Sequence, residues 1–195
     1  MGSHDLKSPE IKFWEWFSNN SERVLKICDN QQIAKEIAGK LKTIYSGFSF
    51  EIGETNDGKF EFVISCKGMN EGIPFVERLV DSAPGFEHIK IVKFRQAKGC
   101  EYAVKIDNIE LGPEDIWFQY CFDEKVHLQL FIPGYSDRDQ RYGQLAFLLL
   151  DNMLGEYFIM TKIGYIDFQP LTTRTDLNKL LNLKKLPDIV SAMMN

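Results

Sequence analysis

The sequence has few of the residues that carry chemistry on their own. It contains only three histidines and four cysteines among 195 residues. The cysteines form no CxxC pair and no Cys/His pair with the spacing of zinc ligands, so the sequence predicts no metal site. We expect reduced thiols, mostly buried as small apolar side chains, which is typical of a cytoplasmic protein. The four cysteines are Cys28, Cys66, Cys100 and Cys121.

No segment is apolar enough to indicate export or a membrane span. Residues 1–11 are polar, whereas a secretory signal needs an apolar stretch. The most apolar run, residues 145–154, is shorter than the roughly 20 residues that a bilayer requires. We therefore expect no membrane partner. The first four residues resemble an expression remnant, so His4 is set aside, and we expect residues 1–8 to be flexible.

Patterns that bind phosphate or nucleic acid are also missing. The chain has neither a GxxxxGK[ST] loop nor a GxGxxG turn after a strand, so we expect no cofactor. Its 23 basic residues are outnumbered by 28 acidic ones, and the formal net charge is −5. Because nucleic-acid binding needs clustered lysine and arginine, we expect no nucleic-acid partner. An acidic surface would instead suit a basic protein partner.

Apolar and aromatic residues are abundant. Hydrophobic residues make up 44% of the chain and aromatic residues 13%, including 15 phenylalanines. Because large rings bury much apolar surface, such a chain can form a core without metal or disulfide help. A length of 195 residues fits one core, and we find no repeat or linker. The sequence therefore predicts a single domain over residues 1–195.

The hydrophobic periodicity changes several times along the chain between helix-like and strand-like spacing. Asn56–Asp57–Gly58 separates two alternating segments, as in a β-hairpin, and Asp29 and Ser136 are candidate helix caps. Since one face of each predicted hairpin is apolar and the other polar, antiparallel pairing is favoured. We predict an α+β fold: a largely antiparallel sheet of about six or seven strands, packed by N-terminal helices and by a long, buried helix. Helices are expected near residues 9–28, 30–46, 74–82, 137–154, 173–182 and 187–194, and strands near 48–53, 60–66, 88–95, 102–106, 116–122, 126–132 and 157–168.

No residue pattern indicates nucleophilic catalysis. There is no GxSxG motif, and only His88 and His127 are left as candidate bases. His127 alternates with the apolar positions of its strand, so we place it on the opposite, polar face. A reactive Cys100 beside His88 is a minor alternative. We identify no catalytic residue.

The aromatic segment near the N-terminus is a candidate binding surface. Trp14 and Trp16 lie between two phenylalanines, in a segment with too many rings for one narrow helical stripe. Either a wide core absorbs these rings, or some of them form a patch for a partner.

Two further groups of polar residues flank the long predicted helix. Tyr135, Arg138 and Arg141 lie near its start, where the helix N-terminus would help them to hold an anion, although nearby acidic residues oppose this. Asp151 interrupts its apolar sequence, and Glu156 follows the glycine that ends it. A buried carboxylate needs partners, so these two residues have either a structural hydrogen-bonding role or a ligand-binding role.

Residues 13–17 and 149–156 resemble segments of uncharacterised bacterial proteins of similar length, a family of unknown function. The resemblance implies a bacterial cytoplasmic protein and supplies no catalytic residues. From the residues themselves we predict a non-catalytic protein-binding module of an accessory or immunity type. The alternatives are a hydrolase or transferase that uses dispersed Asp, Glu, Arg and Tyr residues, and a structural homodimer formed by the aromatic helix.

Overall fold

The computed structural model describes residues 7–27, 30–55 and 57–194. The chain divides into two compact units, Met1–Arg95 and Gln96–Asn195, which we describe separately. The described residues form seven α-helices and nine strands in three sheets, which confirms the α+β class. The single domain over residues 1–195 stays a prediction. His4 and Cys28 lie outside the described residues, as do all but two residues of the predicted flexible segment 1–8.

In the N-terminal unit, three helices precede a β-hairpin along the chain, and a fourth helix and a third strand follow it. Its elements, in chain order, are α1 (Pro9–Asn19), α2 (Ser21–Val24), α3 (Gln31–Lys42), β1 (Ser49–Glu54), β2 (Phe60–Ser65), α4 (Ile73–Asp81) and β3 (Ile89–Lys93). The hairpin of β1 and β2 is antiparallel, as predicted. β3 pairs with β2 in parallel, because α4 carries the chain back to the starting end of β2.

Side-chain caps define where two of these helices begin. The Ser8 hydroxyl accepts a hydrogen bond from the Ile11 N–H at the start of α1. Asn30 caps α3 by accepting from the N–H groups of Gln32 and Ile33. The predicted cap of this helix was Asp29, which lies outside the described residues.

The C-terminal unit contains the other two sheets. Its elements are β4 (Val104–Ile106), β5 (Ile109–Leu111), β6 (Trp117–Phe122), β7 (Val126–Pro133), α5 (Gln140–Leu154), α6 (Glu156–Lys162), β8 (Ile163–Leu171), β9 (Leu181–Asn182) and α7 (Leu186–Met194). β4 and β5 form a two-stranded antiparallel sheet, and the other four strands form a sheet in the order β8-β7-β6-β9.

The larger sheet of the C-terminal unit has the same connectivity as the N-terminal sheet. β6 and β7 form an antiparallel hairpin, two helices follow, and β8 then pairs in parallel with β7. The prediction of one sheet with six or seven strands is therefore wrong, because the described strands form three sheets. The largely antiparallel pairing is confirmed, since four of the six strand pairs are antiparallel. Antiparallel hairpins are visible in the local alternation of residues, whereas a parallel pair is made by a helical crossover whose return point depends on tertiary packing.

The helix predicted over 137–154 is shorter and less buried than expected. It begins at Gln140, where the Asp139 carboxylate accepts from the Arg141 N–H, so Asp139 rather than Ser136 is the cap. Phe147 and Leu148 are exposed. The helix therefore packs through one face, which consists of Leu145, Ala146, Leu149, Leu150 and Met153.

Two further segments near the C-terminus differ from the prediction. The strand expected over 157–168 is the helix α6 in its first half and β8 in its second. The helix expected over 173–182 is a short 3₁₀ turn at Leu177–Lys179, followed by β9. Residues such as Tyr157 and Ile159 favour strands intrinsically, but packing overrides so weak a preference. The final helix, α7, is confirmed.

The inner face of the larger sheet packs on α5, and this contact forms the core of the C-terminal unit. Buried side chains from both elements lie in one cluster, including Phe118, Leu128, Leu130, Leu149 and Leu150. In the part of the chain that the structure describes, no helix combines the length and apolar character needed to cross a membrane.

Candidate binding site

The other face of this sheet consists of half-buried and exposed side chains. Along β7 buried residues alternate with half-buried ones, and His127 lies on the less buried side, as predicted. We call this side of the sheet the open face. By strand register and alternation, it includes Trp117, Gln119, Cys121, His127, Gln129, Phe131, Tyr165, Asp167 and Gln169.

A row of side-chain amides crosses the open face and ends at a carboxylate. Gln119, Gln129 and Asp167 are direct neighbours on β6, β7 and β8. The Gln119 amide donates to Gln129 Oε1 at 2.5 Å, and Gln129 Nε2 donates to Asp167 Oδ2 at 2.7 Å. Gln169 Nε2 donates to the same oxygen at 2.9 Å. We call these four residues the amide row.

The amide row keeps Asp167 ionised. The amide of Gln129, then that of Gln169, and the backbone N–H of Phe168 lower the pKa of its carboxyl below the ordinary aspartate value, because they hydrogen-bond to the charged form. This effect exceeds the opposing effect of partial burial. The two side-chain amides that donate to the carboxylate share Oδ2, and a carboxylate has several acceptor positions. Asp167 is therefore an anion with capacity for a further donor.

His127 is held at both ring nitrogens. Its Nδ1 accepts a hydrogen bond from the backbone N–H of Tyr165 at 3.1 Å. A nitrogen that accepts carries no proton, so the proton is on Nε2 and is donated to the Asp123 carboxylate at 3.1 Å. Hydrogen bonds from the backbone N–H of Lys125 and from this imidazole lower the pKa of the Asp123 carboxyl. His127 has no ring nitrogen left to act as a general base.

The two hydrogen bonds of His127 affect the reactivity expected of Cys121, the thiol opposite it. Cys121 is an exposed cysteine whose register partner across the hairpin is His127. A cysteine beside a histidine is a familiar nucleophile and base, but the base must have a free acceptor nitrogen. Because both nitrogens of His127 are occupied, this pair lacks the activation that such chemistry needs.

A shallow hollow of about 270 Å³ lies over the open face. It is bordered by side chains of the open face and by the strand backbone, and Tyr165 at its edge is 62% exposed. None of the described residues that border it is a lysine or an arginine. They are Gln119, Tyr120, Cys121, His127, Leu128, Gln129, Tyr165 and Asp167.

The two predicted tryptophans lie in the N-terminal unit. Trp14 is 2% exposed, and its indole N–H donates to the Leu79 carbonyl at 2.7 Å. Its ring packs edge-on against Phe13 and Phe17, as in the alternative of a wide aromatic core. Trp16 is half-buried, and Lys40 Nζ lies 4.8 Å from its ring centroid.

Two of the residues proposed to hold an anion, Tyr135 and Arg141, are bonded to carboxylates. Arg141 pairs with Asp139 at 2.7 Å and with Asp107 at 3.2 Å, and its hydrogen bond lowers the pKa of Asp139. The Tyr135 hydroxyl donates to Asp137 at 2.8 Å. Because Asp139 also caps α5, the helix N-terminus already has its anion.

The remaining predicted residues lie at the two ends of α5. Arg138 is exposed two residues before this helix begins, and its backbone N–H donates to the Ser136 hydroxyl. Asp151 is half-buried, and Glu156, the first residue of α6, is fully buried; both take part in further interactions. A helix of 15 residues is about 22 Å long, so the structure does not bring these two groups together.

Gln119, Gln129 and Asp167 were absent from the predicted site residues. The alternation of β6 and β7 indicates that Gln119 and Gln129 share the polar face of a hairpin. The position of Asp167 depends on parallel pairing of β8, which no local pattern indicates.

No described group of three or more His, Cys, Asp or Glu residues has a geometry that could hold a metal ion. In comparisons with known proteins, no protein-family model, no curated protein and no solved structure matches the chain.

Proposed function

We propose that this protein is a non-catalytic protein-binding module and that the open face of its C-terminal unit is the binding surface. Its main support is the combination of a partly exposed sheet face, a shallow hollow and an exposed Tyr165 at the hollow's edge. Tyrosine and tryptophan dominate the energetic centres of protein interfaces, because a large ring buries much area with little loss of conformational freedom.

The open face combines polar side chains with flanking aromatic rings, as the centres of protein interfaces do. The amide row lies across its middle. Trp117 and Phe131 are neighbours on one side of the row, and His127 and Tyr165 lie on the other. Such polar groups between apolar rings fix the register of a partner, while the rings supply the buried area.

The ionisable groups that could serve catalysis already have hydrogen-bond or ion-pair partners, which favours binding over catalysis. His127 has no free ring nitrogen, and Arg141 is neutralised by two carboxylates. Hydrolase or transferase chemistry by dispersed polar residues would need a base or an anion-binding cation with free capacity at one place. We find no observation that favours that alternative.

Capture by the immobilised full chain, with two matched tyrosine variants, tests the proposal. Tyr165 on the open face and Tyr102 in the loop before β4 are 62% and 58% exposed, so Tyr165→Ser and Tyr102→Ser remove equally accessible rings. We expect a random-peptide display library to yield binders that lose about tenfold in affinity on Tyr165→Ser and are unchanged on Tyr102→Ser. Equal affinity for both variants and the parent chain would refute the proposal.

A further inference from the structure

We propose that the open face recognises an arginine side chain of its partner, whose guanidinium pairs with Asp167. This inference rests on the proposed function and names the chemistry that the binding surface selects. The first reason is charge. Among the strand residues of the open face Asp167 is the only acidic one, and no lysine or arginine in the described part of the chain forms an ion pair with it.

Asp167 is an ionised carboxylate with no described lysine or arginine beside it, unlike three other carboxylates of this unit. Asp139 and Asp107 share Arg141, and Glu114 pairs with Lys184. Asp167 is stabilised only by amide and backbone dipoles, which leave its negative charge in place. The Asp167 carboxylate is therefore already positioned and ionised before a partner's cation binds. This preorganisation lowers the conformational entropy that binding costs.

The acceptors that remain on the amide row suit a planar, forked donor. Both side-chain bonds to Asp167 end on Oδ2, so no side-chain amide occupies Oδ1. Gln169 donates through its Nε2, so the amide oxygen of the same side chain is a further acceptor of the amide row. A guanidinium carries several N–H groups in one plane and can donate to more than one acceptor, whereas an ammonium is a compact point charge.

The surroundings of Asp167 also favour arginine over lysine. The Tyr165 ring is exposed beside the hollow, and a guanidinium stacks on aromatic and amide planes while it donates in its own plane. The ammonium of lysine is more strongly hydrated, so its transfer to this partly apolar hollow costs more. Lysine recognition is accordingly the competing outcome of the test.

An NMR-monitored titration of the isotope-labelled full chain with N-acetyl-arginine amide tests this inference. The side-chain amide signals of Gln129 and Gln169 report directly on the amide row. We expect these signals to shift with arginine, and about tenfold weaker binding of the citrulline analogue, which has the same shape and no charge. Equal binding of arginine and citrulline, or tighter binding of N-acetyl-lysine amide, would overturn the inference, and this comparison needs no variant.

Variants then locate the contact. Asp167→Asn keeps the shape and removes the charge, and we expect it to weaken arginine binding about tenfold. Glu124→Gln removes a charge at the exposed turn between β6 and β7, outside the hollow, and should leave the affinity unchanged. If arginine fails to bind while Tyr165→Ser still loses selected peptides, the arginine assignment falls and the binding surface stands. If Tyr165→Ser loses nothing, the proposed function itself fails.

Discussion

The imidazole Nδ1 of His127 accepts a hydrogen bond from the backbone N–H of Tyr165 at 3.1 Å. This contact lies at a β-bulge, where β8 places two residues, Gly164 and Tyr165, opposite the single residue His127 of β7. A bulge removes a backbone N–H from the regular ladder, and a polar side chain can then satisfy it. His127 is therefore part of the sheet's construction, and its ring lies close to Gly164.

The close approach of the His127 ring predicts that position 164 accepts only glycine. A Cβ atom there would lie 2.6 Å from Cε1 of His127, and two hydrogen bonds hold the ring in place. We expect Gly164→Ala to lower the free energy of unfolding by about 1–3 kcal/mol, measured by urea denaturation. In a His127→Ala background the same change should cost much less.

Gly143 in α5 is a matched control for this substitution. An added Cβ there would meet only Phe168 Cε2 at 3.7 Å, an ordinary contact. Gly143→Ala should therefore not destabilise the protein. A similar loss at both positions, or no coupling between positions 127 and 164, would contradict the proposed packing.

Two glycines with open space around them predict opposite effects. No atom lies within 4 Å of a Cβ added at Gly39 in α3 or at Gly58 in the first hairpin, but only Gly58 has a positive φ, +75°. We expect Gly39→Ala to raise the free energy of unfolding by about 0.5–1 kcal/mol, since alanine is the better helix former. Gly58→Ala should lower it by about 1 kcal/mol. Thermal unfolding of the two variants measures both, and a gain at Gly58 would be inconsistent with this backbone.

Trp14 and Trp16 should differ in their importance for stability. Trp14→Phe removes the indole N–H from the Leu79 carbonyl and leaves space in a buried aromatic cluster, so we expect a loss of about 2–4 kcal/mol in unfolding free energy. Trp16→Phe changes a half-buried ring beside Lys40 and should cost about 0.5 kcal/mol or less. Chemical denaturation monitored by circular dichroism compares them. Equal losses would argue against the buried placement of Trp14.

The pKa of Asp167 should depend on the amide row. Its carboxyl titrates below the ordinary aspartate range because the Gln129 amide and then the Gln169 amide bind the charged form. The stability from this interaction is complete above the unfolded-state pKa and is lost as the pH falls through the lower, folded-state pKa. Gln129→Leu should move the Asp167 titration midpoint upward in carbon-detected NMR, whereas Gln32→Leu in α3 should not. An unchanged midpoint in Gln129→Leu would exclude the row as the cause.

Local sequence patterns predicted those parts of the fold that local interactions determine. The hairpin of β1 and β2, the helix α4 near Pro74 and the polar-side position of His127 follow from periodicity and turn residues. The segment 156–162 was misread because its tyrosine, phenylalanine and isoleucine favour strands, whereas the chain forms α6 there. The repeated hairpin–helix–strand connectivity of the two units was not visible either, because it is shared in topology and not in residue pattern.

The sequence by itself determined an α+β chain and the alternation that separates polar from apolar faces in β6 and β7, since these follow from backbone geometry and the burial of apolar surface. Only the tertiary structure decided which distant residues meet on the open face. Asp167 lies 38 residues from Gln129 along the chain, and they become neighbours because α5 and α6 return β8 to the edge of β7 in parallel. The register of that pairing places Asp167 at the end of the amide row, and it is fixed by packing of the whole unit rather than by any local pattern.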